Sequence, residues 1–293
     1  MRVFVTGAAG FIGSAVVEEL ISNGHKVLGL ARSDANVGRL KAAGAEVQNG
    51  SLEDLESLRS GAAAADGVIH LAFNHDFSKF AANAEQDRRA LEELANVLEG
   101  SNRPLISTSG LLGVAPGAVV TETMAASSAS PRKSEQVLSA AARGVRAMTV
   151  RLPPNTHDGA EGGFVPLIIA AARTKGVSVY VGDGRNRWPA VHRLDAAHLY
   201  RLALEKGAAG ARFHAVGDEG IAFRDIAEAI GKRLALPVVS KTAAEAVEHF
   251  GFLSMFAGMD APASAALTRE HLSWRPTRPG LIADLNQHRS SEG

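Results

Sequence analysis

Residues 5–13 read VTGAAGFIG. In front of them RVFVT, over 2–6, is a β-branched and aromatic run stopped by Gly7, which predicts a buried strand. Behind them, in FIGSAVVEELISNG, the apolar Ile12, Val16, Leu20 and Ile21 fall near helical spacing, and Gly24 supplies a stop. A strand that enters a helix through Gly7, Gly10 and Gly13 has a use for each glycine. Gly7 permits the tight turn. Gly10 lets backbone N–H groups approach a pyrophosphate, and Gly13 lets the helix lie close on the strand. The helix N-terminus, at Phe11 and Ile12, favours negative charge. A plain strand-to-helix turn is the alternative; the strand–turn–helix context favours a phosphate cradle.

The same alternation continues down the chain. KVLGLAR is a second strand, followed by helical RLKAAG, strand AEVQ, helical LEDLESLRSG and strand GVIHLAF. Leu91, Leu94, Ala95 and Leu98 give one face of a long helix over 78–99. PLISTSG then reads as a strand, SEQVLSAAARG as a helix and RAMTVRL as a sixth strand. Alternating strands and helices mean a parallel sheet, and continuous apolar strands mean burial on both faces. After Arg151 the pattern changes. PPNTHDGAEGGF predicts a loop, a helix follows at 165–174, and VSVYVGDGRNRW leads to helical LDAAHLYRLALEKG. RFHAV is a strand, FRDIAEAIGKRL a helix, and a less regular tail ends in SSEG, expected to fray. The expected fold class is α/β: a Rossmann-type doubly wound parallel sheet with a smaller C-terminal substrate cap. Residues 1–155 form the dinucleotide-binding domain. Residues 156–293 are mainly the cap, with segments near 191–216 returning to the core sheet.

Composition bounds the function. The 293 residues carry no net charge, 46% are hydrophobic and 21% charged. That balance argues against nucleic-acid or membrane-surface partners. No run approaches the roughly 18–20 apolar residues of a membrane span. There is no cysteine, which excludes disulfides, thiolate metal sites and a cysteine nucleophile. A cytoplasmic location is expected.

The second strand bears on the choice of dinucleotide. NAD sites place an acid about 20 residues beyond the glycines, on the ribose 2′-OH. Here Arg32 and Ser33 stand there, and a guanidinium suits a 2′-phosphate. Asp34, slightly later, is assigned to capping the next helix. NADP(H) is therefore favoured over NAD(H); the plain alternative for Arg32 is a solvated surface arginine.

TGxxGxxG at 6–13, GSLEDLESL at 50–58, GVIHLAF, the STSG strand end, RLPPNTHDG and VGDGRNRWPAVHRLDAAHLYRLALE together resemble the extended short-chain dehydrogenases/reductases. More narrowly, the chain is similar to atypical members of the NAD-dependent epimerase/dehydratase-like group. The resemblance implies that Ser51 and Leu52 lie by the adenine, where the family usually has Asp-Leu. It places Leu71, Ala72 and Phe73 along the ribose and pyrophosphate, and Pro153 and Asn155 by the nicotinamide. Thr108, with Ser109 beside it, matches the catalytic Ser/Thr, and His157 stands where a tyrosine is frequent. The chain departs from the family at SSASPRKSEQVL, over 127–138. The Tyr-x-x-x-Lys pair should fall near 127–131, where Ser127 and Pro131 stand. The only tyrosines, Tyr180 and Tyr200, have Gly184 and Leu204 four residues on.

Without that pair, protonation of an alkoxide loses a general acid that contributes roughly 10²–10⁴-fold. His157 is one replacement, Arg132 or Lys133 are cationic ones, and Thr108 or Ser109 could hold the oxygen. A quinone-like substrate would need less acid help. His70 and His75 do not make a metal site, because His70 lies within an apolar strand, so no metal is expected. Trp188 either faces substrate or simply packs. No GxSxG elbow is present. The sequence thus points to an NADP(H)-dependent oxidoreductase acting on a small carbonyl or quinone-like molecule, with Thr108, Ser109 and His157 in catalytic roles. A non-catalytic NADP(H) sensor and a nucleotide-sugar epimerase or dehydratase are the alternatives. The resemblance implies that the helices at 78–99 and 134–143 supply a candidate homodimer face.

Overall fold

The computed structural model describes residues 1–126, 132–159 and 161–287. Strand β1 (Arg2–Thr6) runs into helix α1 (Phe11–Ser22), and the chain continues through β2 (Lys26–Ala31), α2 (Asp34–Ala42), β3 (Glu46–Asn49), α3 (Leu55–Ala63), β4 (Gly67–His70), α4 (Phe80–Leu98), β5 (Pro104–Gly110) and β6 (Arg146–Leu152). β7 (Asn155–His157), α5 (Val165–Lys175), β8 (Ser178–Val181), β9 (Arg187–His192), α6 (Arg193–Lys206) and β10 (Arg212–His214) follow. β11 (Asp218–Ala222), α7 (Phe223–Leu234), β12 (Val238–Lys241), α8 (Ala243–Phe250), α9 (Ser254–Ala257), α10 (Ala266–Leu272) and α11 (Leu281–Gln287) complete it.

Seven strands make one parallel sheet in the order β10-β6-β5-β4-β1-β2-β3. The order reverses between β1 and β4, the crevice where doubly wound sheets bind ligands. Because successive side chains alternate faces, β1 feeds two cores. Val3 and Val5 pack with Val16 and Leu20 of α1 and Leu199 and Ala203 of α6. Phe4 packs the other way, with Leu58 of α3 and Leu91 and Leu94 of α4. Each such buried Val, Leu or Phe side chain contributes about 1.5–3 kcal/mol, so the strand order is held from both faces. Helix α6 packs along α1, and β10 extends the sheet beyond β6.

A second core joins Ile168, Ile169, Trp188, Phe223, Ile226, Ile230, Phe250, Leu281 and Leu285. Around it stand a three-stranded sheet, β11-β9-β7, and the parallel pair β12-β8.

Several local expectations are corrected. Strand β4 ends at His70, so Leu71–Phe73 leave the sheet. Residues 155–157, expected in a loop, pair with β9. Among the described residues the tail beyond 234 is more regular than expected, with one strand, four α-helices and a 3₁₀ turn at Gly251–Leu253, while SSEG, over 290–293, lies outside the described residues. Residues 134–143 form a 3₁₀ helix rather than an α-helix, ending at Gly144 with φ +74°. Its buried residues, Ser134, Val137 and Ala140, repeat every third position, the period of a three-residue turn. Ser33, not Asp34, caps α2: its Oγ accepts from Asn36 N–H at 3.4 Å, and Asp34 is the first helical residue. Trp188 is fully buried and donates to Met259 O at 3.1 Å, which makes it a packing residue and removes it from the substrate face.

Candidate active site at the strand switch point

Between the loops after β1 and β4 the structure holds a cavity of about 420 Å³. That size suits a small-molecule or cofactor site. Gly7 sits at φ +69°, and a Cβ on it would stand 2.7 Å from Ala72 N, so a side chain would fill the gap between the two loops. Gly10 caps α1 and donates to Gly7 O at 3.0 Å. No side chain caps this helix and its first turn holds no acid. The first-turn amides therefore lack an internal partner, the condition that makes a helix start an anion site. Gly13 is needed for approach: a Cβ there would lie 2.0 Å from Gly7 O. These features fit a dinucleotide pyrophosphate.

Of the residues expected at the cofactor, Gly7, Gly10, Arg32, Ser51, Leu52, Ala72 and Phe73 line this cavity. Phe11, Ile12, Gly13, Ser33, Leu71, Pro153 and Asn155 are not among its lining residues. Phe11 lies under the Arg193 guanidinium, 5.0 Å from ring centre to Cζ. Pro153 and Asn155 are buried, and neither amide atom of Asn155 has a hydrogen-bond partner among the described residues. Asn36, Glu53, Asn74, His75 and Gln86 line the cavity without having been singled out as cofactor ligands. Asn36 had a legible signal, four residues after Arg32 on the first turn of α2. Asn83 fixes the lining loop by donating to Asn74 O and Asp76 O at 3.1 and 2.9 Å.

The pleat of β5 separates the two hydroxyls proposed for catalysis. Thr108 turns to the α6 side. Its Oγ1 donates to His70 O and meets Tyr200 OH, both at 2.8 Å. Thr108 is 5% exposed and Tyr200 fully buried. Burial pushes the Tyr200 phenol well above its ordinary value, beyond what the Thr108 bond and Arg132 offset. Ser109 falls on the other face, with Leu105, which packs with Val137 and Ala140 of the 3₁₀ segment. It is half-buried, and its side chain has no hydrogen bond among the described residues.

At that end of β5, Arg132 donates from Nη2 to Thr108 O at 2.9 Å and stacks 4.0 Å over the Phe73 ring. Asp87 of α4, 1% exposed, accepts from Arg132 Nε at 3.3 Å, Ser134 Oγ at 3.1 Å and His70 Nε2 at 3.2 Å. Burial raises the Asp87 carboxyl, but the His70 bond and the Arg132 charge outweigh it and hold it below the usual range. Sequence reasoning passed over Asp87. Its signal was an acid at 87 in the stripe that continues through Leu91, Leu94 and Leu98. Lys133 stands at the start of the 3₁₀ segment. Residues 127–131, where the tyrosine and lysine were sought, lie outside the described residues.

His157 does not line this cavity. It is fully buried in β7, with Nδ1 at 2.7 Å from Asp284 Oδ2. Nearby, Asp158, His192 and Asp284 form a group whose ligand atoms lie within 4.8 Å of one another. Each already has hydrogen-bond or ion-pair partners, Asp284 taking His157 Nδ1 and Gly159 N–H. His192 Nδ1 accepts from Leu194 N–H at 3.2 Å, which leaves the neutral ring's proton on Nε2, 3.4 Å from Asp158. Asp158 also pairs with Arg193 at 2.6 Å. His70 is likewise engaged at both ring nitrogens. No helix among the described residues is long and apolar enough to cross a membrane.

Residues 3–216 match the family described as NAD dependent epimerase/dehydratase. An uncharacterized protein of Schizosaccharomyces pombe is 50% identical, over 97% of this chain and 98% of its own. The decarboxylating sterol-4-alpha-carboxylate 3-dehydrogenase of Dictyostelium discoideum is 28% identical, over 76% of this chain and 73% of its own. Among solved structures, the dTDP-glucose 4,6-dehydratase of Streptomyces venezuelae, with NAD and TYD bound, superposes with a TM-score of 0.76 at 20% identity. It covers 99% of this chain and 97% of its own.

Proposed function

The chain belongs to the NAD-dependent epimerase/dehydratase family, and on that premise we propose that it is an NADP(H)-dependent oxidoreductase of small, neutral carbonyl or quinone-like compounds. The dinucleotide would lie on the domain of residues 1–155, with substrate entering beneath residues 156–293. The observation that carries this reading is the cavity at the strand switch point, with an uncapped helix start on one side and, stacked over its lining residue Phe73, the Arg132 guanidinium.

Gly7, Gly10 and the first-turn amides of α1 would hold the pyrophosphate. Arg32 and Asn36 would face the ribose 2′-phosphate, since no acid closes β2. The bound nicotinamide supplies or accepts the hydride. Ser109 and Arg132 would hold the carbonyl oxygen and stabilise charge developing on it, the oxygen then taking a proton from water through the Ser109 hydroxyl. Thr108 serves by its backbone: its carbonyl orients Arg132 while its hydroxyl ties β5 to α6. Support for the reaction class comes from the relative named as a 3-dehydrogenase.

The test is NADPH and NADH binding by nicotinamide fluorescence, then turnover against aldehydes, ketones and quinones. NADPH-preferring turnover is expected. Arg32→Ala should weaken NADPH by about 10–100-fold, the worth of a charge-assisted contact, and leave NADH nearly unchanged. Arg132→Ala should lower kcat by roughly 10²-fold, as loss of an oxyanion donor does. Tight binding with no turnover over the whole panel would replace this reading with that of a dinucleotide sensor. A transiently reduced nicotinamide without net consumption would replace it with an epimerase.

A further inference from the structure

Arginine is a long, rotamer-rich side chain, and one that stabilises an oxyanion must be held before the charge appears. Arg132 is held on three sides. Thr108 O takes one N–H, the Phe73 ring covers the guanidinium plane, and Asp87 takes Nε and Nη2 at 3.3 and 3.4 Å. Nη1 carries no hydrogen bond among the described residues, which leaves a donor for a ligand.

Asp87 does more than neutralise that charge. His70 Nε2 reaches its Oδ1, and on the other side of the imidazole Nδ1 lies 2.9 Å from Thr6 Oγ1. Asp87, held ionised, can only accept, so the His70 proton lies on Nε2, toward it; Nδ1 then accepts from the Thr6 hydroxyl, whose oxygen also takes Ala72 N–H at 3.3 Å. One buried chain, Thr6–His70–Asp87–Arg132, therefore runs from the strand end beneath the phosphate cradle to the guanidinium. Every member except Arg132 is at most 1% exposed.

We infer that Asp87 is the positioning residue of this site: its buried carboxylate sets Arg132 in place and links that placement, through His70 and Thr6, to the nucleotide cradle. The inference rests on the function proposed above for its catalytic consequence, but not for its geometry. Since the Asp87 charge balances Arg132, the site offers directed N–H groups rather than a free cation. It thereby favours a neutral carbonyl over a carboxylate.

The experiment is guanidinium rescue. In Arg132→Ala the Asp87 carboxylate remains, and guanidinium chloride at 10–50 mM (potassium chloride as control) should raise the melting temperature by a few degrees. It should not do so in wild type or in the double variant Arg132→Ala/Asp87→Asn. In turnover assays guanidinium should restore at least tenfold of the kcat lost in Arg132→Ala, again only while Asp87 is present. Asp87→Asn alone should lose kcat about as far as Arg132→Ala, with NADPH affinity kept within about threefold, and the double variant should lose no more. Equal rescue with and without Asp87, or Asp87→Asn with wild-type kcat, would overturn the inference. If Asp87→Asn does not fold, an Arg132→Ala protein that guanidinium neither stabilises nor reactivates overturns it as well. A wild type that binds NADPH and reduces nothing would overturn the proposed function, and the melting-temperature comparison would still decide the role of Asp87.

Discussion

Replacing Gly13 by alanine tests the cradle most directly. Alanine normally gains about 1 kcal/mol over glycine inside a helix. At Gly13 the added Cβ would stand 2.0 Å from Gly7 O, 2.8 Å from Gly7 C and 2.9 Å from Ala8 Cα, all backbone. No rotamer change relieves such contacts. To restore even 3.4 Å, α1 must move off β1 by about 1.4 Å, against the Val16 and Leu20 packing that seats it. Overpacking of this kind costs typically 1–3 kcal/mol and occasionally more. With backbone on both sides we expect the upper end, about 2–3 kcal/mol after the propensity gain. A loss of that size lowers Tm by roughly 4–12 °C in a domain of this size. Gly38, exposed in α2 with nothing within 4 Å of its added Cβ, is the internal control, and Gly38→Ala should gain about 0.5–1 kcal/mol. Urea unfolding of both variants, with NADPH affinity measured alongside, gives opposite signs for one chemical change. A Gly13→Ala protein as stable as wild type, binding NADPH equally well, would refute the close-approach argument.

Glu135 binds Arg151 through both oxygens at 2.7 and 2.8 Å and Arg212 at 2.8 Å, and Arg151 is fully buried. Glu135→Ala should cost about 3–5 kcal/mol in urea unfolding at pH 7, because it strands a buried cation. Burial raises Glu135, but Arg151 and Arg212 outweigh it and hold the carboxyl low. Its contribution is therefore present above about pH 4.3 and is lost as pH falls through the depressed value, so the gap to wild type should narrow in acid. His214, pushed down to about 4 chiefly by burial, is neutral in the fold where the unfolded chain is protonated. Stability should fall by up to about 3 kcal/mol as pH drops from 6.5 to 4; an unchanged slope in His214→Gln would count against this. Tyr200→Phe removes one hydrogen bond and should cost about 1 kcal/mol, with turnover and NADPH affinity kept within about threefold. A hundredfold loss of kcat would instead make Tyr200 the missing acid.

Local pattern made the cradle legible. A β-branched run, three glycines at fixed spacing and a 3.6-residue apolar period are properties of neighbouring residues, and they dictate strand, turn and helix before any distant contact forms. The same holds for the alternation that implies a parallel sheet, and for Arg32 at the end of β2. What the sequence could not order was the far side of the site. Whether Thr108 or Ser109 stands free depends on which face of β5 each takes, and that is settled by Tyr200, 92 residues away. The 3₁₀ winding of 134–143 follows from where Ser134, Val137 and Ala140 meet the sheet. Asp87 looks like an interruption in an apolar stripe until folding brings it to His70 and Arg132, 17 and 45 residues off. Backbone geometry is written locally because it answers to local sterics and periodicity. Partnerships among buried polar groups become visible only in the folded chain, because each charge is tolerated there only by the particular distant donors that packing delivers to it.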